Sequence, residues 1–251
     1  MQKTSPISLK LRFRALFFHL LFSGLLLCIA LVLVFGIWYP SPLEIAVGVT
    51  SIYLLLLAID LILGPALTFV VYKADKRKLK FDLTIILLLQ LGAYFYGLYT
   101  LHQGRPLWQV FVIDDIELIS LSEVKKTADY RMPAEFAPSI LQGPQWVAAV
   151  YSSDPKKMQQ QKEDEMFEGI NISARPETYQ SISVKQQAIQ AKLKPLSELS
   201  QLNTDAKLLK QSLYAYPQAA GWLPVKATEQ DMVALFNKQG QPLGIVNLKP
   251  W

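Results

Sequence analysis

The sequence predicts a membrane protein in which three transmembrane α-helices are followed by a periplasmic α+β domain. Residues 15–39, 45–72 and 83–101 form apolar runs of roughly 25, 28 and 19 residues, against the ~20 needed to span hydrocarbon as a helix. From Gln103 onward the composition is that of an ordinary water-soluble domain. The expected organisation is therefore a three-helix membrane domain over residues 1–104, with helices at about 15–39, 45–72 and 83–101, and an α+β domain over residues 105–251.

Charge supports the same division. Residues 1–104 carry nine Lys/Arg and four Asp/Glu, a balance of +5, and residues 105–251 carry sixteen of each, a balance of zero. The basic excess belongs to the membrane part and is a topology signal, so a nucleic-acid partner has no support. Lys3, Lys10, Arg12 and Arg14 precede the first helix, and Lys73, Lys76, Arg77, Lys78 and Lys80 fill the loop between the second and third. The segment between the first two helices has neither Lys nor Arg. By the positive-inside rule the N-terminus and the basic loop are cytoplasmic, and three crossings leave residues 102–251 in the periplasm of a bacterium, anchored in its inner membrane.

The first helix is longer than a signal-peptide core and is closed by Trp38-Tyr39-Pro40 instead of a small-residue cleavage site, so it reads as a retained anchor. Cys28, the one cysteine, lies within it. Pro40-Ser41-Pro42 then forces a tight return.

The second helix carries the most informative residue of the chain, Asp60, because a charge at mid-membrane costs several kcal/mol unless it is neutralised or paired. Gly64 and Thr68 follow on the same helical face. Pro65 removes the N–H that would bond the carbonyl of Leu61. Asp60, Gly64, Pro65, Thr68 and, from the third helix, Gln90 are the candidate partner-binding residues. The alternative is that Asp60 is protonated and bonded within the chain to Gln90, Tyr94, Tyr96 or Tyr99. Ala93 and Gly97 form a small-xxx-small pair that favours close helix packing. An intramembrane aspartyl protease would need two carboxyls sharing a proton. Asp82, at the start of the third helix, is mismatched in depth with Asp60 and reads as an N-terminal helix charge.

In the exported part, residues 107–113 and 145–152 read as strands, and 155–168, 178–193 and 204–216 as helices, the last capped by Thr204. Residues 222–227, 232–237 and 242–248 read as a C-terminal β-meander. The two histidines are His19 and His102, so residues 103–251 contain neither histidine nor cysteine. That removes the usual Ser-His-Asp, Cys-His and zinc-site chemistries. Asp114-Asp115-x-Glu117 is a pattern that would suit a hard cation, but two adjacent acids at a strand end read as solvated turn residues, and no Walker loop, EF-hand spacing or dinucleotide fingerprint occurs. The expectation is a binding protein, not an enzyme, with no cofactor, metal or small-molecule substrate.

Several segments carry a family resemblance: Tyr39-Pro40-x-Pro42-Leu43, Asp60-x-Ile62-Leu63-Gly64-Pro65-x-Leu67-Thr68, Lys78-Leu79-Lys80-Phe81-Asp82-Leu83, Leu89-Gln90, Tyr96-Gly97-Leu98-Tyr99, Arg105-Pro106, and the ending from Gly244-Ile245-Val246 to Pro250-Trp251. Together they resemble the TfpX/TfpZ family of type IV pilin accessory proteins, in good register over residues 39–106 and loosely over 115–220. The resemblance implies an inner-membrane, chaperone-like accessory protein that binds one cognate major pilin during type IV pilus biogenesis, with no catalytic residues to carry over. A membrane-anchored periplasmic ligand-binding sensor, or a structural subunit of another envelope complex, is the alternative.

Overall fold

A computed structural model describes residues 6–73 and 77–251, and the side chains of residues 6–8 and of Asp60 lie outside that description. Lys3 and Lys76, two of the cations expected on the cytoplasmic side, also lie outside the described residues. The chain divides into two compact units. One comprises Met1–Gly36 with Val49–His102, the other Ile37–Gly48 with Gln103–Trp251.

Among the described residues, three helices are long and apolar enough to cross a membrane: Leu9–Trp38, Val49–Val71 and Leu79–Gly104. The first is α1 (Pro6–Leu33), which continues through a wide turn, Val34–Trp38. After a short helix, α2 (Leu43–Ala46), comes the second span. It is built from α3 (Val49–Ala58), a wide turn at Ile59–Leu63, and α4 (Gly64–Val71). The third is α5 (Leu79–Gly104). The second span begins later than its apolar run suggests. Residues 43–46 form a separate helix, and Gly48 takes a φ of 67°, a left-handed conformation that turns the chain between the two.

The wide turn before Pro65 has a local cause. Proline has no N–H to return to Leu61, so the helix widens by one residue and the Gly64 N–H reaches Ile59 O, five residues back. Inside the first unit the helices are joined by tyrosine hydroxyls donated to α1 carbonyls, Tyr53 to Leu27 at 3.1 Å and Tyr94 to Leu26 at 2.9 Å. Gly97 leaves room for the Leu56 side chain, which any Cβ there would overlap, so the small-residue pattern of α5 serves packing within this chain. Phe17, Leu21, Leu55, Ile62, Leu88 and Leu89 point outward, as lipid-facing side chains do.

The second unit is an α+β domain built on one mixed sheet. Its strands are β1 (Pro106–Val112), β2 (Asp115–Ser120), β3 (Gln145–Ala149), β4 (Tyr179–Ser181), β5 (Gly221–Lys226), β6 (Met232–Phe236) and β7 (Pro242–Val246), in the order β4-β3-β1-β2-β5-β6-β7. β1 runs parallel to β3, and β2 runs parallel to β5. The other pairs are antiparallel. The helices of this part are α6 (Pro155–Phe167), α7 (Gln186–Lys192), α8 (Leu199–Leu202) and α9 (Ala206–Tyr214).

Strand alternation divides the core. One face holds Phe111, Ile116, Leu223, Met232 and Phe236, and it is covered by Ile189 of α7 and by Leu43 and Ala46 of α2. The opposite face holds two clusters, one around Trp108 and Val147 and the other around Trp222, Val233 and Leu235. The segment expected to make only a tight return between two helices is thus part of this domain. The Ala46 carbonyl accepts the backbone N–H groups of Glu229 and Gln230 at 3.0 and 3.1 Å, and Ala46 is fully buried.

Three local expectations are corrected. Residues 178–193 are not one helix. Tyr179–Ser181 pairs with β3 and buries Tyr179, and this tertiary pairing overrides the helix-favouring composition, leaving only Gln186–Lys192 α-helical. The last helix is capped by Asp205, whose carboxylate accepts the N–H groups of Lys207 and Leu208, and not by Thr204. Asp115 opens β2, a strand concealed by its acidic start. The β1–β2 turn has Ile113 at a φ of 53°, a strained conformation for a β-branched residue.

A soluble fragment of residues 103–251 lacks the side chains that close one core face. Its urea midpoint should be lower than that of the same fragment carrying residues 37–48 through a flexible linker. In the linked form Leu43→Ala should cost about 2–4 kcal/mol. Equal midpoints with and without residues 37–48 would show that the segment is not part of the folding unit.

Candidate functional site

The residues singled out in the second span converge with two residues of the first. His19 Nδ1 lies 2.6 Å from Thr68 Oγ1, and His19 Nε2 lies 2.5 Å from Gln90 Oε1. The Gln90 amide nitrogen donates to Ser23 Oγ at 2.9 Å. That bond orients the amide, so Oε1 is the atom facing His19, and His19 donates from Nε2. Gly64 has no Cβ because one would overlap the Gln90 amide. Gly64, Pro65 and Thr68 are buried, and Ser23 is 1% exposed.

The structure therefore brings Gly64, Pro65, Thr68 and Gln90 together with His19 and Ser23 in a polar junction that ties all three helices. In a medium without water each of these groups must find its hydrogen-bond partner in protein, and here they do so within the chain. Asp60 has its backbone in the wide turn of the same span, and its side chain lies outside the described residues. His19 and Ser23 were not among the residues the sequence pattern marks as a binding set. Their signal was present: two polar residues spaced i, i+4 in an apolar run, hence on one helical face.

The second unit contains a charged groove of about 470 Å³, lined by Glu117, Ile119, Glu123, Lys125, Ser173 and Lys226 among others. Its origin is the strand pairing. β2 and β5 are in register only at Ile116–Val225 and Glu117–Lys226, so the two strands part beyond that point. On the opposite face from α2, Asp115, Glu117 and Lys226 fall between the two apolar clusters. Lys226 pairs with Asp115 and stands 3.9 Å from Glu117, whose other oxygen accepts from the Ser173 hydroxyl. Burial pushes both carboxyls above their ordinary range, with Lys226 opposing it at Asp115 and Ser173 opposing it at Glu117. Contact with Asp115 raises the Lys226 ammonium. Asp115 and Glu117 lie two residues apart in the acidic run after β1, whereas Ser173 and Lys226 come from distant segments, and no motif joins the four. Among the described residues, no group of three or more His, Cys, Asp or Glu side chains is placed to hold a metal ion.

Comparison with known proteins places this architecture. The profile of the family described as "Fimbrial assembly protein FimB" matches residues 7–48, the first span together with the segment that completes the domain core. A protein described as "Fimbrial assembly protein, serogroups C1 and C2", from Dichelobacter nodosus, is 32% identical over 108 residues, covering 82% of that relative and 42% of this chain. The chain belongs to the fimbrial assembly protein family. The Dichelobacter nodosus fimbrial assembly proteins of serogroup E1 and serogroup I are 28% and 27% identical over 222 residues, each covering 82% of this chain and 83% of the relative. Similarity to these fimbrial assembly proteins thus extends through both units. No solved structure matches.

The polar junction has a measurable stability consequence. Gln90→Leu removes its hydrogen bonds to His19 and Ser23, each worth about 0.6 kcal/mol in a membrane, and should lower the thermal midpoint of the detergent-solubilised protein modestly. Gly64→Leu should lower it further, because the new side chain displaces Gln90 and separates the helices. A midpoint unchanged by Gly64→Leu would mean that the helices do not meet there.

Proposed function

We propose that this fimbrial assembly protein is an inner-membrane accessory protein of the TfpX/TfpZ kind, which binds its cognate major pilin in a chaperone-like manner and supports type IV pilus biogenesis. The observation that carries the reading is the 28% identity over 222 residues, 82% of this chain, to a fimbrial assembly protein, an extent that reaches both units. The N-terminus is cytoplasmic and the domain periplasmic, as the distribution of Lys and Arg favours. The protein acts by binding and not by catalysis. Residues 103–251 supply neither histidine nor cysteine, and the charged groups of the groove are engaged with one another, Lys226 with Asp115 and Glu117 with Ser173.

The design suits a partner with one apolar helix in the membrane and a head outside it. A membrane part and an exported domain on one chain engage both portions at once, and the linkage raises the effective concentration of the second contact.

Orientation is tested with a reporter active only outside the cytoplasm. Fused after Trp251 it should be active, and inserted at Lys76 it should be silent. Activity at Lys76 would reverse the proposed topology.

Pilin preference should follow the domain, because discrimination requires contact with the parts of partners that differ. Exchanging residues 37–48 and 103–251 together for those of a relative should transfer preference, read by crosslinking to pilin and by surface fimbriae. Exchanging 103–251 alone should lower the protein's steady-state level, since Leu43 and Ala46 would meet a foreign core. Preference that stays with residues 1–36 and 49–102 would locate recognition in the membrane helices instead.

A further inference from the structure

We propose that the loop at residues 139–142 is a second membrane contact, with Ile140 and Leu141 inserted into the interfacial layer of the bilayer that the helices cross. The inference is independent of the fimbrial reading and requires only that the three apolar helices span a membrane.

The last residues of two spans, Trp38 and Gly104, both belong to the second unit. The part of that unit around them therefore lies at the level where the chain leaves the hydrocarbon. The loop is bonded to those residues. The Trp38 indole N–H donates to the Ile140 carbonyl at 2.7 Å. Arg105, immediately after the third span, donates from Nη2 to the Ser139 carbonyl at 2.7 Å and from Nη1 to those of Ile140 and Gln142 at 3.2 and 3.5 Å. Its guanidinium also stacks over the Trp38 ring, 5.2 Å from the ring centroid. Gly143 passes so near the chain end of the first span that an added Cβ would stand 3.2 Å from the Ile37 carbonyl.

This cage has a directional consequence. The loop carbonyls turn inward to satisfy a fully buried guanidinium, and the two aliphatic side chains between them are left outside. Ile140 is 60% exposed and Leu141 is 75% exposed. Pro138 and Pro144 bracket the loop and restrict its backbone. Two adjacent large aliphatic side chains facing water are unfavourable in proportion to their apolar area, whereas the same pair at the bilayer boundary gains that area back. Leu141 is one residue from the carbonyl bonded to Trp38, so its Cα is only about 3.8 Å of chain beyond Ile140.

The test uses the full chain with Cys28→Ser, carrying a single nitroxide label in phosphatidylethanolamine–phosphatidylglycerol vesicles. Labels are placed in turn at Leu141→Cys, at Tyr214→Cys on the exposed end of α9, and at Leu89→Cys on the outward face of α5. Collision with oxygen and with a water-soluble nickel chelate is then measured. The Leu141 label should collide with the chelate several-fold less than the Tyr214 label while retaining access to oxygen, between the Tyr214 and Leu89 values. A Leu141 label as accessible to the chelate as the Tyr214 label overturns the proposal. Protection from both reagents with an immobilised spectrum also overturns it, since that pattern belongs to a protein contact and not to lipid. All three sites are exposed, so retention of the near-UV circular dichroism of the Cys28→Ser parent verifies folding.

Discussion

The constraint on which the rest of the structure depends is that the core of the α+β domain is not contiguous in sequence. Leu43 and Ala46, delivered between the first and second spans, cover the same sheet face as Phe111, Met232 and Phe236. The Ala46 carbonyl serves two backbone donors of the turn before β6. A chain of this kind must place three membrane helices before its domain can close, so insertion and folding are coupled by covalent geometry. Truncating a core contact of this sort typically costs a few kcal/mol, a large part of the stability of a small domain. The chain thus enters the second unit at 37–48 and again at 103, and each entry falls at the last residues of an apolar span.

The membrane unit is held by a different balance. Apolar side chains gain nothing by leaving lipid for one another, so specificity between the helices falls to small residues and hydrogen bonds. Gly64 and Gly97 admit Gln90 and Leu56, and His19, Ser23, Thr68 and Gln90 satisfy one another across three helices. Tyr53 and Tyr94 reach adjacent carbonyls of α1. The wide turn at Ile59–Leu63 follows from a single missing N–H at Pro65, and it sits at the one acidic residue of the span. Proline, glycine and polar side chains in this region are consequences of one another. A polar group needs close approach, close approach needs glycine, and the interrupted ladder is absorbed by widening the helix.

In the domain the decisive event is the short register between β2 and β5. Parallel pairing over only two residue pairs leaves β2 running on beyond β5, and the space between the two apolar clusters is filled by charge. Asp115, Glu117 and Lys226 offset their desolvation mutually, with Ser173 supplying a further hydrogen bond. Such a cluster is expensive to bury and contributes little net stability on its own. It produces instead a groove that differs chemically from the rest of the sheet.

The three spans, the α+β class of the domain after them, and strands β1, β3, β5, β6 and β7 are legible in the residue pattern alone. These rest on periodicity and composition, which are local properties. The pattern also marks Gly64, Pro65, Thr68 and Gln90 as a related set, because polar or helix-breaking residues in an apolar run are conspicuous. Only the tertiary structure decided that this set meets His19 and Ser23, that residues 179–181 form a strand and not a helix, and that the acidic start of β2 belongs to the sheet. The same holds for Glu117, Ser173 and Lys226, and for the membership of residues 37–48 in the domain. Apart from β2, whose hairpin partner β1 immediately precedes it, the determining partner lies tens of residues or more away in the chain. Contacts between such distant positions are set by which faces pack, and a single sequence records the faces without recording their pairing.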